Sequence, residues 1–427
     1  MNNFSDVHYA VLRLLADCGW VSQSVLALTG YSYPYMVRAV KTLLDRQLIR
    51  KQGKGKDKSY ALTIMGRNHM AAFNASRFRG EVMAGARQRA RHPERSVLRG
   101  DAAAMLALAG FSVNQDDKPC FPAYTPPLPE KPGREDWSGL HLDPIPFFYP
   151  DATDRHPYLR RSAAVGCYYD ATNIKELLRC AGKDGSGVSY SRACGVLMTP
   201  DSLFRVYHSR DVAMKFHVTG ENNLHSLLLS GLAFRGHIPK QDNAALIFGS
   251  DFTAAQHILA GSLNNKNTRM PIYAKNKGQK GYAEIKGAVG EMLSPTNLGS
   301  PAFYLPLRKE SLPLLELMRY PRWQEMMLRE INCGLFEEDD LTHWTFERDG
   351  YEVYVLAALN LAQIDFALRR IKNGAHSKVR IICVDWQEPL LCLLLQSFPH
   401  SGEVQITSLP SDYMESMSDA FTRFWEG

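Results

Sequence analysis

Two groups of residues in this chain have the types and the spacing for chemistry. The first is a cationic and aromatic series, Ser32, Tyr33, Tyr35, Arg38, Lys41, Thr42 and Arg46, followed by Lys54, Lys56 and Lys58 in the turn Gly53-Lys54-Gly55-Lys56-Asp57-Lys58. Arginine forks match base edges and phosphates, and lysines on a flexible loop suit a phosphate backbone, where they add affinity without sequence information. The second group is Pro200-Asp201 with Lys215. Mg²⁺-dependent nucleases of the PD-(D/E)xK type hold the metal with an Asp and a second acid on adjacent strands, and a lysine two residues beyond that acid positions the attacking water. Here the second acid is replaced by Ala213, and the triplet Glu284-Ile285-Lys286 lies 83 residues after Asp201. That leaves too few anionic ligands for Mg²⁺. The expectation is a degenerate, nuclease-like scaffold with no catalytic residue, no metal and no cofactor.

The elements that must carry the first group are readable. Val7, Ala10, Val11, Leu14 and Leu15 recur at helical spacing over Asp6 to Cys18. Ser22 is placed to cap a short second helix that Gly30 closes with a tight turn. Ser32 is placed to cap a third helix with Pro34 in its first turn, where the missing N–H costs nothing. At about 100° per residue, Val37, Val40 and Leu44 fall on one side of this helix, with Met36 and Leu43 at the margin. Tyr35, Arg38, Thr42 and Arg46 fall opposite, Ala39 lies between, and Lys41 is on the flank. Small residues at Ala39 and Thr42 would let the backbone approach base edges. Leu48 to Lys51 and Tyr60 to Leu62 read as two strands joined by the basic turn, and Thr63 as the cap of a fourth helix. This order predicts a winged helix-turn-helix over residues 1–75 that reads double-stranded DNA.

Charge supports the same partner. Residues 1–100 hold 17 Lys/Arg against 6 Asp/Glu, a net of +11, within a chain whose overall formal charge is +6. A basic head on an acidic body points to a polyanion met by the head alone. Residues 76–113 extend the head as an arginine-rich helical stretch, read equally well as lying on DNA or as an exposed connector. From 114 to 157 the chain is proline-rich, with ten prolines between Pro119 and Pro157, and cannot be continuous helix or central strand. Its aromatics mark a linker that partly packs.

Residues 158–427 read as an α/β domain with a mixed or parallel sheet. Residues 156–182 suggest helix. Gly195 to Met198 suggests a strand, and Ser202 to Ser209 followed by Val212 to Val218 suggests a hairpin. Farther on, strand and helix alternate: 244–250 then 252–261, 351–357 then 361–372, 378–385 then 388–398, and 403–409 before an amphipathic helix at 412–425. Such alternation implies parallel strands joined by crossovers. Neither GxGxxG nor GxxxxGK[ST] occurs, so no nucleotide loop is expected. Asp385-Trp386 ends a strand, where ligands of α/β sheets bind, or simply terminates it. The eight cysteines show no CxxC spacing and read as reduced thiols of a cytoplasmic protein. No uncharged apolar run reaches the roughly 18 residues that span a bilayer, and no membrane contact is expected.

Four segments resemble the replication-relaxation family of plasmids and conjugative elements: 7–51, YALTIMGR at 60–67, HPYLRRSAAV at 156–165 and GVLMTPDSLFRVYH at 195–208. The resemblance covers roughly half of the chain. It implies a winged helix followed by an α/β domain, and a role on mobile-element DNA. The proline-rich insertion and Ala213 depart from that pattern, so binding without nicking is expected. The leading expectation is a sequence-specific DNA-binding accessory or regulatory factor, its body recruiting replication or conjugation proteins or pairing protomers into a homodimer. A Mg²⁺-dependent nuclease or nickase and a ligand-responsive transcriptional regulator are the alternatives.

Overall fold

The computed structural model describes residues 4–75, 77–78, 93–114, 166–171, 191–199, 202–210, 215–217, 220–221, 223–225, 242–263, 270–275, 282–292, 301–337, 341–374, 378–396, 398 and 403–426. The fold is α/β. Helix α1 (Asp6–Cys18) buries Val7, Val11, Leu14 and Leu15, and ends at Gly19, whose N–H donates to the Leu15 carbonyl at 3.0 Å. After β1 (Val21–Ser22), the Ser22 hydroxyl accepts from the Val25 N–H at 3.3 Å and caps α2 (Gln23–Leu26). Gly30, at φ +82°, turns the chain into α3 (Tyr33–Asp45), with Pro34 in its first turn.

Strands β2 (Ile49–Gln52) and β3 (Ser59–Leu62) pair antiparallel, Ile49 opposite Leu62 and Gln52 opposite Ser59, with β1 on the far side of β3. Gly53 begins the connection at φ +77°, and a Cβ there would sit 2.1 Å from the Asp57 carbonyl oxygen, so the turn closes only around glycine. Thr63 then caps α4 (Ile64–Phe73) by accepting from the Gly66 N–H at 3.0 Å.

Helix α5 (Pro93–Leu108) joins this N-terminal unit to the rest. After Asp101 its second half is made of small and apolar residues, and Ala102, Ala104, Met105 and Leu106 are fully buried. Gly100 lies on the backbone of Trp20, where a Cβ would meet the carbonyl oxygen at 1.7 Å. Beside it Asp101 accepts the Ser22 N–H at 2.7 Å. The helix packs on α1, α2 and β1 and also on the body. One contiguous apolar core therefore runs from Val11 to Phe421. Of the arginine-rich stretch, residues 79–92 lie outside the described residues, and 93–108 are an interior helix in their second half.

The body continues with β4 (Cys167–Asp170), β5 (Gly195–Met198), β6 (Ser202–Arg210), β7 (Lys215–His217), β8 (Asp242–Gly249), α6 (Thr253–Leu263), β9 (Met270–Lys275), β10 (Tyr282–Met292) and β11 (Ala302–Pro306). Helices α7 (Leu312–Leu317) and α8 (Trp323–Phe336) follow, then β12 (Thr345–Arg348), β13 (Tyr351–Val355), α9 (Leu361–Lys372), β14 (Lys378–Val384), α10 (Glu388–Leu395), β15 (Val404–Leu409) and α11 (Ser411–Glu426). One sheet has the order β11-β8-β6-β5-β4, parallel from β11 to β6 and antiparallel from β6 to β4. A second has the order β12-β13-β14-β15, its last three strands parallel as the alternation predicts. They meet where the Tyr304 N–H donates to the Leu359 carbonyl at 3.1 Å, and Phe303 packs edge-on against Trp323 beneath them.

Two expectations for the body are corrected. Within 156–182, Cys167–Asp170 is a strand rather than helix. Its Cys, Tyr and Tyr are buried on both faces, and such a short apolar run carries no period to separate strand from helix. The hairpin of 202–209 with 212–218 does not form. β6 pairs with β5 and β8 as a central strand, whereas β7 pairs with β10 in a separate small sheet of order β7-β10-β9. The proline-rich linker after Asn114, Asp201 and Ala213 lie outside the described residues. Among the described residues no helix is long and apolar enough to cross a membrane.

Candidate nucleic-acid interface

The first group of residues lies on α3 and on the turn between β2 and β3. The buried face of α3 consists of Met36, Ala39, Val40 and Leu43. This corrects the face drawn from periodicity by roughly 80° of helix rotation. Met36 and Leu43 are the centre of the packed side rather than its margin, and Val37 is 39% exposed. Ala39 is buried, so its small side chain serves close packing and not approach to a base. The apolar residues 36, 37, 40, 43 and 44 form a band wider than the contact that α1 makes with this helix, and the small Ala39 selects which edge of it docks.

The outward face carries Pro34, Arg38 and Lys41, all exposed, Arg38 as expected and Lys41 brought round from the flank by the rotation. Tyr33 and Tyr35 project from the first turn, 55% and 60% exposed. Tyr33 is fixed from below: its hydroxyl accepts from Gln23 Nε2 at 2.7 Å, while Gln23 Oε1 accepts from the Tyr60 hydroxyl at 3.2 Å. This bridge ties α2, α3 and β3 together. Gln23 went unnoticed in the sequence because its role depends on two tyrosines 10 and 37 residues away.

The remaining residues are placed less uniformly. Ser32 sits before α3, but its side chain makes no cap; its carbonyl instead accepts the Met36 N–H at 3.1 Å. The Thr42 hydroxyl, half-buried, donates to the Arg38 carbonyl at 3.0 Å. Arg46 is exposed at the end of α3, its guanidinium 4.6 Å from the Phe4 ring centroid. Lys54 is exposed and Lys58 half-buried on either side of the turn, whereas the side chain of Lys56 lies outside the described residues. Arg50, on β2, stacks over Trp20 at 4.9 Å.

Two basic groups of this unit are shifted. Burial and then the charge of Arg46 hold His8 below its ordinary value. Burial and then Arg50 do the same to Arg67. In both groups burial is the larger cause and the neighbouring guanidinium the smaller one. The arrangement presents exposed cations on the same helix as one anchored tyrosine ring, Tyr33. No match to this chain was found among family models, curated proteins or solved structures.

The body offers a different kind of chemistry. Glu221 accepts from the Tyr207 hydroxyl at 2.7 Å, the Ser191 hydroxyl at 3.0 Å and the Arg192 N–H at 2.6 Å. Burial raises its carboxyl above the ordinary range against these donors. Burial also pushes the Cys194 thiol up to about 12 and His208 down to about 3. Asp385 accepts from the Ser411 N–H at 3.1 Å and from the Ser411 hydroxyl, which ties the end of β14 to the start of α11. Among the described residues no group of three or more His, Cys, Asp or Glu could hold a metal ion.

Proposed function

We propose that residues 6–73 are a winged helix-turn-helix, with α3 as the helix that enters the DNA major groove and the 53–58 turn as the wing. On this reading the protein is a sequence-specific, double-stranded DNA-binding accessory or regulatory factor with no chemistry of its own. The observation that carries it is the outward face of α3. Arg38 and Lys41 share the helix with exposed tyrosines and are followed by a glycine-closed lysine turn, within the first 100 residues, which hold a net +11. A helix in the groove with cations on the flanking phosphates is the docking geometry such a surface fits. The resemblance to replication-relaxation proteins supports mobile-element DNA, in the cytoplasm, as the setting. The nuclease alternative drew on a hairpin that would set Lys215 beside the metal, and that hairpin is not made.

Selection of bound sequences from random duplex DNA tests the reading. Recovery of a defined site, with Arg38→Ala lowering the preference for it by about 1–3 kcal/mol per base pair read, is the expected result. Recovery of no preferred duplex would overturn it.

A further inference from the structure

The outward face of α3 contains something that phosphate binding does not use. Tyr33, Pro34 and Val37 occupy adjoining positions at i, i+1 and i+4, all three exposed, alongside Arg38 and Lys41. Single exposed apolar residues need no explanation. An apolar strip on the same exposed face as Arg38 and Lys41 does, because the buried face of the same helix already holds Met36, Val40 and Leu43.

The cations fix what can cover this strip. An apolar protein surface would have to desolvate Arg38 and Lys41, whereas a polyanion neutralises them. Among polyanions, the major groove of duplex DNA admits a helix and displays one apolar group, the C5-methyl of thymine. Double-stranded RNA closes its major groove to side chains, and its uracil lacks that methyl. We infer that the Tyr33–Pro34–Val37 strip reads thymine methyl groups, so that the target site carries thymines where α3 lies in the groove. This rests on the assignment of α3 as the groove helix.

The strip is built to lose little on binding. Gln23, itself held by Tyr60, anchors the Tyr33 hydroxyl and so restrains the ring. Pro34 has a fixed ring, and Val37 is β-branched with few rotamers in a helix. Arg38 and Lys41 then supply the polar contacts on the same face.

The test uses the full-length protein and its selected duplex. Each thymine is replaced in turn by uracil, which removes the methyl and leaves every hydrogen-bonding group in place. We expect one or more positions at which the substitution weakens binding about 4-fold, the worth of one buried methyl. In Val37→Ala, at an exposed position and with folding checked by circular dichroism, that thymine-over-uracil ratio should fall toward 1 while the salt dependence stays that of the parent. A selected duplex bound equally with thymine or uracil at every position would overturn the inference and leave DNA binding standing. So would a ratio unchanged in both Val37→Ala and Tyr33→Ser. Failure to bind any duplex preferentially would overturn the inference together with the reading beneath it.

Discussion

Arg38 on α3 and Arg205 on β6 are the same side chain in opposite surroundings. Arg38 is exposed on the same helix as Lys41 and two half-exposed tyrosines, whereas Arg205 is 1% exposed in the middle of a sheet, among Tyr207, His225 and the carboxylate of Glu221. In the body, burial pushes Glu221, Cys194 and His208 toward their neutral forms, and Glu221 is held by hydrogen bonds from within the protein. In the N-terminal unit Arg38, Lys41 and Lys54 are exposed to water, so an anionic partner can still reach them. The difference teaches that a residue's type announces chemistry only when its surroundings leave it available.

The comparison is sharpest at α5, which touches both regions, and the largest effect is expected there. Gly100→Val would drive a side chain into the Trp20 carbonyl, which a Cβ already approaches to 1.7 Å. We expect a loss of more than about 3 kcal/mol in chemical denaturation, with the N-terminal unit melting ahead of the body. A single unshifted transition would break the view that one helix locks the two together.

Asp101, one residue on, gives the next largest effect. Burial pushes its carboxyl up to about 7, against the Ser22 N–H and Arg210, which both act to lower it. The unfolded chain releases this proton near pH 4, and the folded protein holds it to about 7. The contribution to stability is therefore complete below about pH 4 and is lost as pH rises through 7. Asp101→Asn keeps a carbonyl oxygen for the Ser22 N–H and removes the titration. Relative to the parent it should gain stability between pH 4 and 7, reaching roughly 2–4 kcal/mol at pH 8, as followed by thermal melting across pH.

Much of this was legible from residues alone, for reasons that are themselves physical. The bounds of α1 and α9, the caps at Ser22 and Thr63, and the pairing of β2 with β3 are local matters, set by periodicity, hydroxyls and glycines within a few residues. The parallel sheet of β13, β14 and β15 follows from alternating segments. What stayed hidden depends on distant partners. The rotation of α3 was decided by its packing against α1, and the fate of Lys215 by a partner strand more than 70 residues on. The docking of α5 was decided by a glycine meeting a backbone carbonyl. Within the candidate site, Arg38 and Lys41 were found by charge, while Val37 was misplaced and Gln23 missed.

Gln23 should give the smallest effect. Gln23→Leu removes both hydrogen bonds of the Tyr33 bridge at a partly exposed position, so stability should fall by no more than about 1 kcal/mol. The thymine preference should weaken with it, since the Tyr33 ring is no longer anchored. Unaltered selectivity in this variant would mean that the tyrosine is not part of the reading surface.

The claim that the polyanion contact belongs to the N-terminal unit is tested most directly by the salt dependence of duplex affinity. Fluorescence anisotropy with the full-length protein would compare the parent with the Lys54→Ala, Lys56→Ala, Lys58→Ala triple variant. Each lost phosphate contact lowers the slope of log affinity against log salt by about 0.9, so the triple variant should lose about 2–3 in slope, alike on selected and unrelated duplexes. An unchanged slope would place the DNA contact elsewhere on the molecule and contradict the account.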